Sequence, residues 1–357
     1  MEVLYPVCCG LDVHKASVTA CLRSPGDGPR RRQEVQTFGT TTRELLRLVE
    51  WLTAAGCTHV AMESTGVYWR PVYNLLEDGF ELLLVNAQHV KMVPDRKTDV
   101  RDSEWLAQLL ELGLLRRSFV PPAAQRELRD VVRYRKRLIE ERAREANRVQ
   151  KVLETANIKL ASVVTTVLGV SVRAMLKALI AGESAPEEMA ELAKRRLRRK
   201  RAALGEALRG RVTAHHRFML EHLLRHIEFL DGAIAAYDRH VETLTAPHAA
   251  QLAQLDTIPG VARRTAEVIA AELGCDMTRF PTAGHAASWT GLCPGNHASA
   301  GKRLSGRTRF ANRVLRQALV ESARGAVLKR DSYLAAQYRR LVKRRGDKKA
   351  IVAVAHS

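Results

Sequence analysis

Three strand-like stretches, the first apolar and β-branched and the second alternating, stand in a row at the start of this chain, and only afterwards does the pattern switch to alternating helix-like and strand-like runs. Residues 3–10, 16–22 and 33–38 read as strands, the last two separated by the turn-rich Ser24-Pro25-Gly26-Asp27-Gly28-Pro29. Thr40, Thr41 and Thr42 can cap a helix over 43–55, with Leu45, Leu46, Val49 and Leu52 on one face. A strand at 58–62, a helix at 67–76, a strand at 82–85 and a helix at about 98–115 complete the run. Hairpin-linked strands pair antiparallel, and strands joined through a helix pair parallel. The order therefore predicts one mixed sheet with helices on its faces. An aromatic content of 5% likewise disfavours an all-β sandwich or barrel.

That order of three strands followed by α, β, α, β, α is the ribonuclease H-like pattern. The rest of the chain reads as helical, giving an α/β domain followed by all-α regions. Charge divides the same way. The net charge of +20 is absent from residues 1–123, which sum to −1, and concentrated in residues 301–349, which carry +13. A neutral front and a very basic back suggest chemistry in one and a polyanion grip in the other, since Lys and Arg bind phosphates by releasing counterions. No apolar run reaches the roughly 18 residues of a membrane helix. Six cysteines form no CxxC pair, so buried, reduced thiols in a cytoplasmic protein are expected.

Four carboxylates fall at informative places. Asp12 ends the first predicted strand and Glu63 follows the fourth, where open α/β sheets collect their ligands. Asp99 and Asp102 share one helix face at i, i+3. Singly, Asp12 and Glu63 fit turns, and Asp99 fits a helix N-terminus. Together they would repel one another unless a cation sat among them, and an all-oxygen set suits Mg²⁺.

Pro121-Pro122 marks a boundary. Beyond it, 127–153 is helical in pattern, although Arg135 and Arg142 interrupt its apolar seam. Leu220, Leu223, Ile227, Leu230, Ile234, Tyr237, Val241 and Leu244 form a clean heptad seam. An antiparallel helical pair is expected, either within one chain or shared between subunits. Residues 194–201 hold seven basic residues in eight, a solvated face or a phosphate contact. The predicted domains are 1–122, 123–248 and 249–357.

In the last domain, Ile258-Pro259-Gly260-Val261 lies between helical runs and resembles a helix-hairpin-helix turn, whose amides can meet a phosphate at Gly260; an ordinary helix connection fits equally. A glycine-rich basic loop then carries Ser299, Lys302, Arg303, Ser305, Arg307 and Arg309. From the residues alone, Ser299 is either an ordinary loop serine or a nucleophile held among cations.

Gly-Leu-Asp12-Val-His-Lys, Met-Glu63-Ser-Thr-Gly-Val-Tyr-Trp and Lys-Thr-Asp99-Val-Arg-Asp102 resemble the DEDD transposases of the insertion-sequence one-ten family, which includes bridge-RNA-guided recombinases and pilin-gene invertases. In the C-terminal stretch the resemblance extends from Ser299 through Lys302-Arg303, Ser305-Gly306, Thr308 and Asn312-Arg-Val-Leu-Arg316; Ala311 stands where the family often has glycine. The resemblance implies a RuvC-like first domain and a C-terminal transposase domain; between them the heptad seam gives a central helical coiled-coil region, where the resemblance extends only to length and helical character. The resemblance gives Asp12, Glu63, Asp99 and Asp102 the Mg²⁺ and Ser299 the attack on a DNA phosphodiester, with a phosphoserine link. Lys302, Arg303, Arg307 and Arg309 become candidates for phosphate contact. The implied partners are DNA, a guide RNA and further copies of the chain, in a prokaryotic, nucleoid-associated setting. A metal-dependent junction-resolving nuclease and an inactive nucleic-acid-binding remnant are the alternatives. Residues 351–357 stop within an apolar helical pattern that relatives usually continue, so a shortened copy is expected.

Overall fold

The computed structural model describes residues 2–26, 30–64, 66–86, 90, 102–182, 184–308 and 311–357. The chain divides into two compact units, Met1–Val120 and Pro121–Ser357.

The first unit holds a five-stranded sheet of order β3-β2-β1-β4-β5. Its strands are β1 (Cys8–Val13), β2 (Ser17–Pro25), β3 (Arg31–Gly39), β4 (His59–Glu63) and β5 (Glu81–Val85). Antiparallel pairing joins β1 to β2 and β2 to β3; parallel pairing joins β1 to β4 and β4 to β5. This is the mixed sheet that the order of the runs predicts. Helices α1 (Thr42–Ala54) and α2 (Trp69–Leu76) cover one face, where Leu45, Leu48, Leu52, Val72 and Leu76 bury against Leu11, Val60 and Met62. Helix α3 (Asp102–Glu111) covers the other through Trp105, Leu106, Leu109 and Leu110.

Two boundaries differ from the sequence pattern. The first strand begins at Cys8 rather than residue 3, because Pro6 has no N–H and the Leu4 and Tyr5 amides donate to the Glu111 carbonyl at the end of α3. Helix α3 stops before residue 115, at Gly113 with φ +67°; its expected start at 98 lies outside the described residues. The buried Glu111 carboxylate also pairs with Arg23 of β2 and Arg31 of β3, at 2.9 and 2.5 Å. It ties the helix to two strands.

All six cysteines are free, and Cys8, Cys9, Cys21 and Cys57 are buried. Burial pushes the Cys8, Cys21 and Cys57 thiols up to about 12. Since the thiolate is the reacting form, a maleimide at pH 8 is expected to label the half-buried Cys293 first in the native protein and Cys275 more slowly, because burial pushes the Cys275 thiol up too. The other four should react only on unfolding, as mass spectrometry of timed samples would show.

In the second unit, α4 (Ala123–Thr155) and α9 (Ala214–Thr245) pack antiparallel within one chain. Leu128 and Val132 meet Val241, Leu138 meets Leu230 and Ile234, and Val149 and Leu153 share a core with Leu220 and Ile227. The two arginines that interrupt the α4 seam find carboxylates. Arg135 pairs with Asp238 and Glu267, and Arg142 with Asp231. Burial raises Asp231, but hydrogen bonds and charge from Arg142 and Arg173 outweigh it and hold the carboxyl low.

Between the long helices, α5 (Leu160–Val163), α6 (Val170–Ala181), α7 (Pro186–Glu191) and α8 (Arg201–Ala207) build a core at the tip of the pair. The basic stretch forms a 3₁₀ turn, Arg195–Lys200, with no buried residue. At the other end lie α10 (Ala249–Asp256), α11 (Arg263–Leu273), α12 (Ala283–Trp289), the strands β6 (His297–Ser299) and β7 (Lys302–Ser305), α13 (Arg313–Ala326), α14 (Tyr333–Arg345) and α15 (Asp347–His356). The apolar run after residue 350 belongs to α15, where Ile351 and Val354 bury against Ala323. Among the described residues, no helix is long and apolar enough to cross a membrane.

Candidate carboxylate and serine sites

Alternation along β1 sends Cys9, Leu11 and Val13 into the α1/α2 core and Cys8, Gly10 and Asp12 to the α3 face. Along β4, Val60 and Met62 face the first core and Ala61 the second, which puts Glu63 on the α3 face too. Leu11 pairs with Met62, and Asp12 and Glu63 each follow by one residue. Two carboxylates thus stand side by side at the carboxyl ends of adjacent parallel strands.

Gly10 brings in the third. A Cβ on Gly10 would lie 2.3 Å from the Ser103 carbonyl oxygen and 2.4 Å from the Ala107 nitrogen. Only glycine lets the helix backbone press so closely on the strand. Asp102, the first residue of α3, therefore starts at the same face and end of the sheet as Asp12. Its position at a helix N-terminus also suits a carboxylate through the dipole.

Asp12 is about one-third exposed, and His14 Nε2 lies 3.1 Å from its Oδ2. Sequence reasoning passed over this histidine, although its i+2 spacing on the strand was the available signal. Asp99 lies outside the described residues. Among those described, no three His, Cys, Asp or Glu side chains group closely enough to hold a metal ion. The donor chemistry fits Mg²⁺ nonetheless: hard oxygen donors at one sheet end suit a cation that keeps several waters and takes only one or two carboxylates.

Ser299 ends β6 and pairs with Lys302 of β7. The two residues between them, Ala300 and Gly301, have φ of +48° and +74°. Both are left-handed, as a tight type I′ hairpin requires, and Ala300 adopts this conformation without glycine's freedom. Serine and lysine therefore stand together, exposed, at the tip of a short two-stranded hairpin whose register shifts at His297/Ala298. At its base, the Gly295 amide donates to the Arg307 carbonyl at 2.8 Å, and Pro294 bridges to Thr308. Arg303 lies on β7, opposite Ala298. The Arg307 amide donates to Ser305 Oγ at 3.2 Å. Arg309 lies outside the described residues.

Gly260 sits in the turn between α10 and α11 with φ +84°. A Cβ there would meet the Ser322 carbonyl oxygen of α13 at 2.1 Å, so this glycine lets the turn pack flush on a helix. Sequence reasoning also missed Glu272, a wholly buried carboxylate on α11. Arg133 of α4 holds it through two hydrogen bonds, at 2.7 and 2.9 Å, and Asn312 Nδ2 donates to it at 2.7 Å. Asn312 also caps α13 by accepting from the Leu315 amide. The serine loop thus re-enters the helical body at a residue fixed on both sides.

Comparison with protein families gives two matches. Residues 9–158 match a DEDD transposase model of the IS110 type, and residues 252–339 match a model described as Transposase IS116/IS110/IS902 family. Curated proteins provide no match. The first match takes in Asp12, Glu63, Asp99 and Asp102, and the second takes in Ser299 with its hairpin. With its mixed sheet and helical remainder, this chain belongs to the IS110 family of transposases, which places its activity in DNA transposition.

Proposed function

We propose that this transposase cuts and joins DNA through Ser299. The serine Oγ attacks a phosphodiester phosphorus, one P–O bond of the strand breaks, and the leaving oxygen takes up a proton. The new phosphoserine link keeps the bond energy, so rejoining needs no nucleotide cofactor. What supports the reading is the hairpin tip, where Ser299 is exposed in register with Lys302. A cation paired to the nucleophile's position can stabilise charge developing on the phosphate. Arg303, Arg307 and Arg309 add positive charge along the same loop.

Mg²⁺, held by Asp12, Glu63, Asp99 and Asp102, would neutralise phosphate oxygens during the transfer. The carboxylates position that charge, and His14 beside Asp12 limits how its carboxylate turns. One phosphodiester must meet both sets, from a single chain or from two copies. A guide RNA pairing with both DNA partners supplies the choice of sequence. A helix-hairpin-helix at Gly260 grips backbone, and the long helices serve as an assembly surface.

The test combines the protein with its flanking noncoding RNA, Mg²⁺ and labelled element-end DNA, followed by a denaturing gel. A DNA–protein adduct is expected in wild type and absent from both Ser299→Ala and Asp102→Ala. Cleavage without an adduct that survives Ser299→Ala would make water the nucleophile and the protein a metal-dependent nuclease. Binding with neither product would mark an inactive copy.

A further inference from the structure

Beside the base of the serine hairpin, the second unit has a concavity of about 1060 Å³. Five cations line it: Arg307 at the hairpin base, Arg316 of α13, Arg345 at the end of α14, and Lys348 and Lys349 in the first turn of α15. No carboxylate side chain lines it, and among the described residues none of the five has an acidic partner. Elsewhere in this unit cations are neutralised, as Arg133 is by Glu272 and Arg142 by Asp231.

The lysine placement runs against helix preference. The first turn of a helix favours acids, because its free amides carry partial positive charge. The one acid there, Asp347, is turned aside: its Oδ1 accepts from the Tyr338 hydroxyl at 2.9 Å, and Arg324 lies 3.8 Å from its Oδ2. Packing of Ile351 and Val354 against Ala323 then fixes α15, so the cations are held together against their repulsion. Such a concave array raises the local concentration of a polyanion.

We infer that this concavity is a binding site for the phosphate backbone of a nucleic-acid strand that runs on toward Ser299. Arg307, which lines the concavity, also closes the hairpin base through its carbonyl at Gly295, and the same hairpin carries Ser299 and Lys302 at its turn. A strand held in the concavity is thereby led toward the serine. The inference rests on the proposed function only for that direction; the grip itself needs no serine chemistry.

The experiment measures binding of the full chain to single-stranded DNA, single-stranded RNA and inorganic phosphate across a range of salt. It compares wild type, Ser299→Ala and the triple variant Arg345→Gln/Lys348→Gln/Lys349→Gln. The three side chains are exposed, and a melting curve checks the fold. Three lost phosphate contacts flatten the plot of log K against log salt by about 2 for a single strand. The same relation lowers affinity about 50-fold at 0.15 M salt relative to a 1 M reference. A flattened slope with one strand type or both supports the site and identifies the strand. Unchanged slopes with both strands overturn it, whether or not inorganic phosphate binding falls. Should the triple variant unfold, Lys349→Gln alone is expected to flatten the slope by about 0.7. Ser299→Ala keeps the wild-type slope, so a lost adduct with intact binding bears on the serine alone.

Discussion

Gly10→Ala is expected to detach α3 from the sheet. The added methyl would sit 2.3 and 2.4 Å from backbone atoms of Ser103 and Ala107, and backbone cannot swing aside as a side chain can. Overpacking of this kind costs about 3 kcal/mol or more. The helix can yield only by lifting, which exposes Trp105, Leu106, Leu109 and Leu110, now buried against Cys8, Ala61 and Leu83. Asp102 would lift with it. Denaturant unfolding of the full chain should show the loss, and hydrogen exchange should show amides 103–111 unprotected while β2 and β3 keep their protection. Unchanged exchange in α3 would refute the close approach.

Glu272→Ala is expected to cost about 3 kcal/mol, the usual price of leaving a buried ion pair half-made. The carboxylate is fully buried, and two guanidinium groups converge on it: Arg133 in a fork and Arg129 at 3.2 Å. Arg129 is only 14% exposed, so it cannot recover water easily. Asn312 loses its acceptor at the same time, which loosens the start of α13 directly behind the serine loop. Adding Arg133→Met to Glu272→Ala should recover part of the loss, because one of the two stranded charges is gone while Arg129 stays. A double-mutant cycle by urea unfolding checks both values. Strictly additive effects would show that the fork contributes nothing.

Much of the first unit could be read from its pattern. Residue periodicity is local, and hairpins against crossovers predict a mixed sheet; that β4 lies beside β1 rather than beside β3, its neighbour in sequence, is not legible from the runs. Positions at strand ends are equally local, which is why Asp12 and Glu63 stood out. What could not be read depends on distant partners. Pro6 is a local sign that the first strand starts late, but nothing near it announces that Leu4 and Tyr5 bond to residue 111. Arg135 looked like a flaw in an apolar seam, but its acids lie over a hundred residues away, at Asp238 and Glu267. Glycine carries the same lesson. Gly10 and Gly260 occupy unlike settings in sequence, and both prove to be places where a helix backbone presses close. The heptad seam was legible as a seam, and Leu220, Ile227, Leu230 and Val241 are buried along it. Its partner was not, since the matching face of α4 is broken by arginines.

The paired long helices also act as a gauge. The 32 residues of α9 make a strut of about 48 Å at ~1.5 Å per residue. The exposed cations of the 3₁₀ turn lie toward one end, and α13, which leads out of the serine hairpin, packs at the other. A nucleic acid touching both ends would be sampled at two places about 14 base steps apart, at ~3.4 Å per step. Inserting one heptad into each helix would lengthen the strut by about 10 Å, and the second contact would move by about three steps.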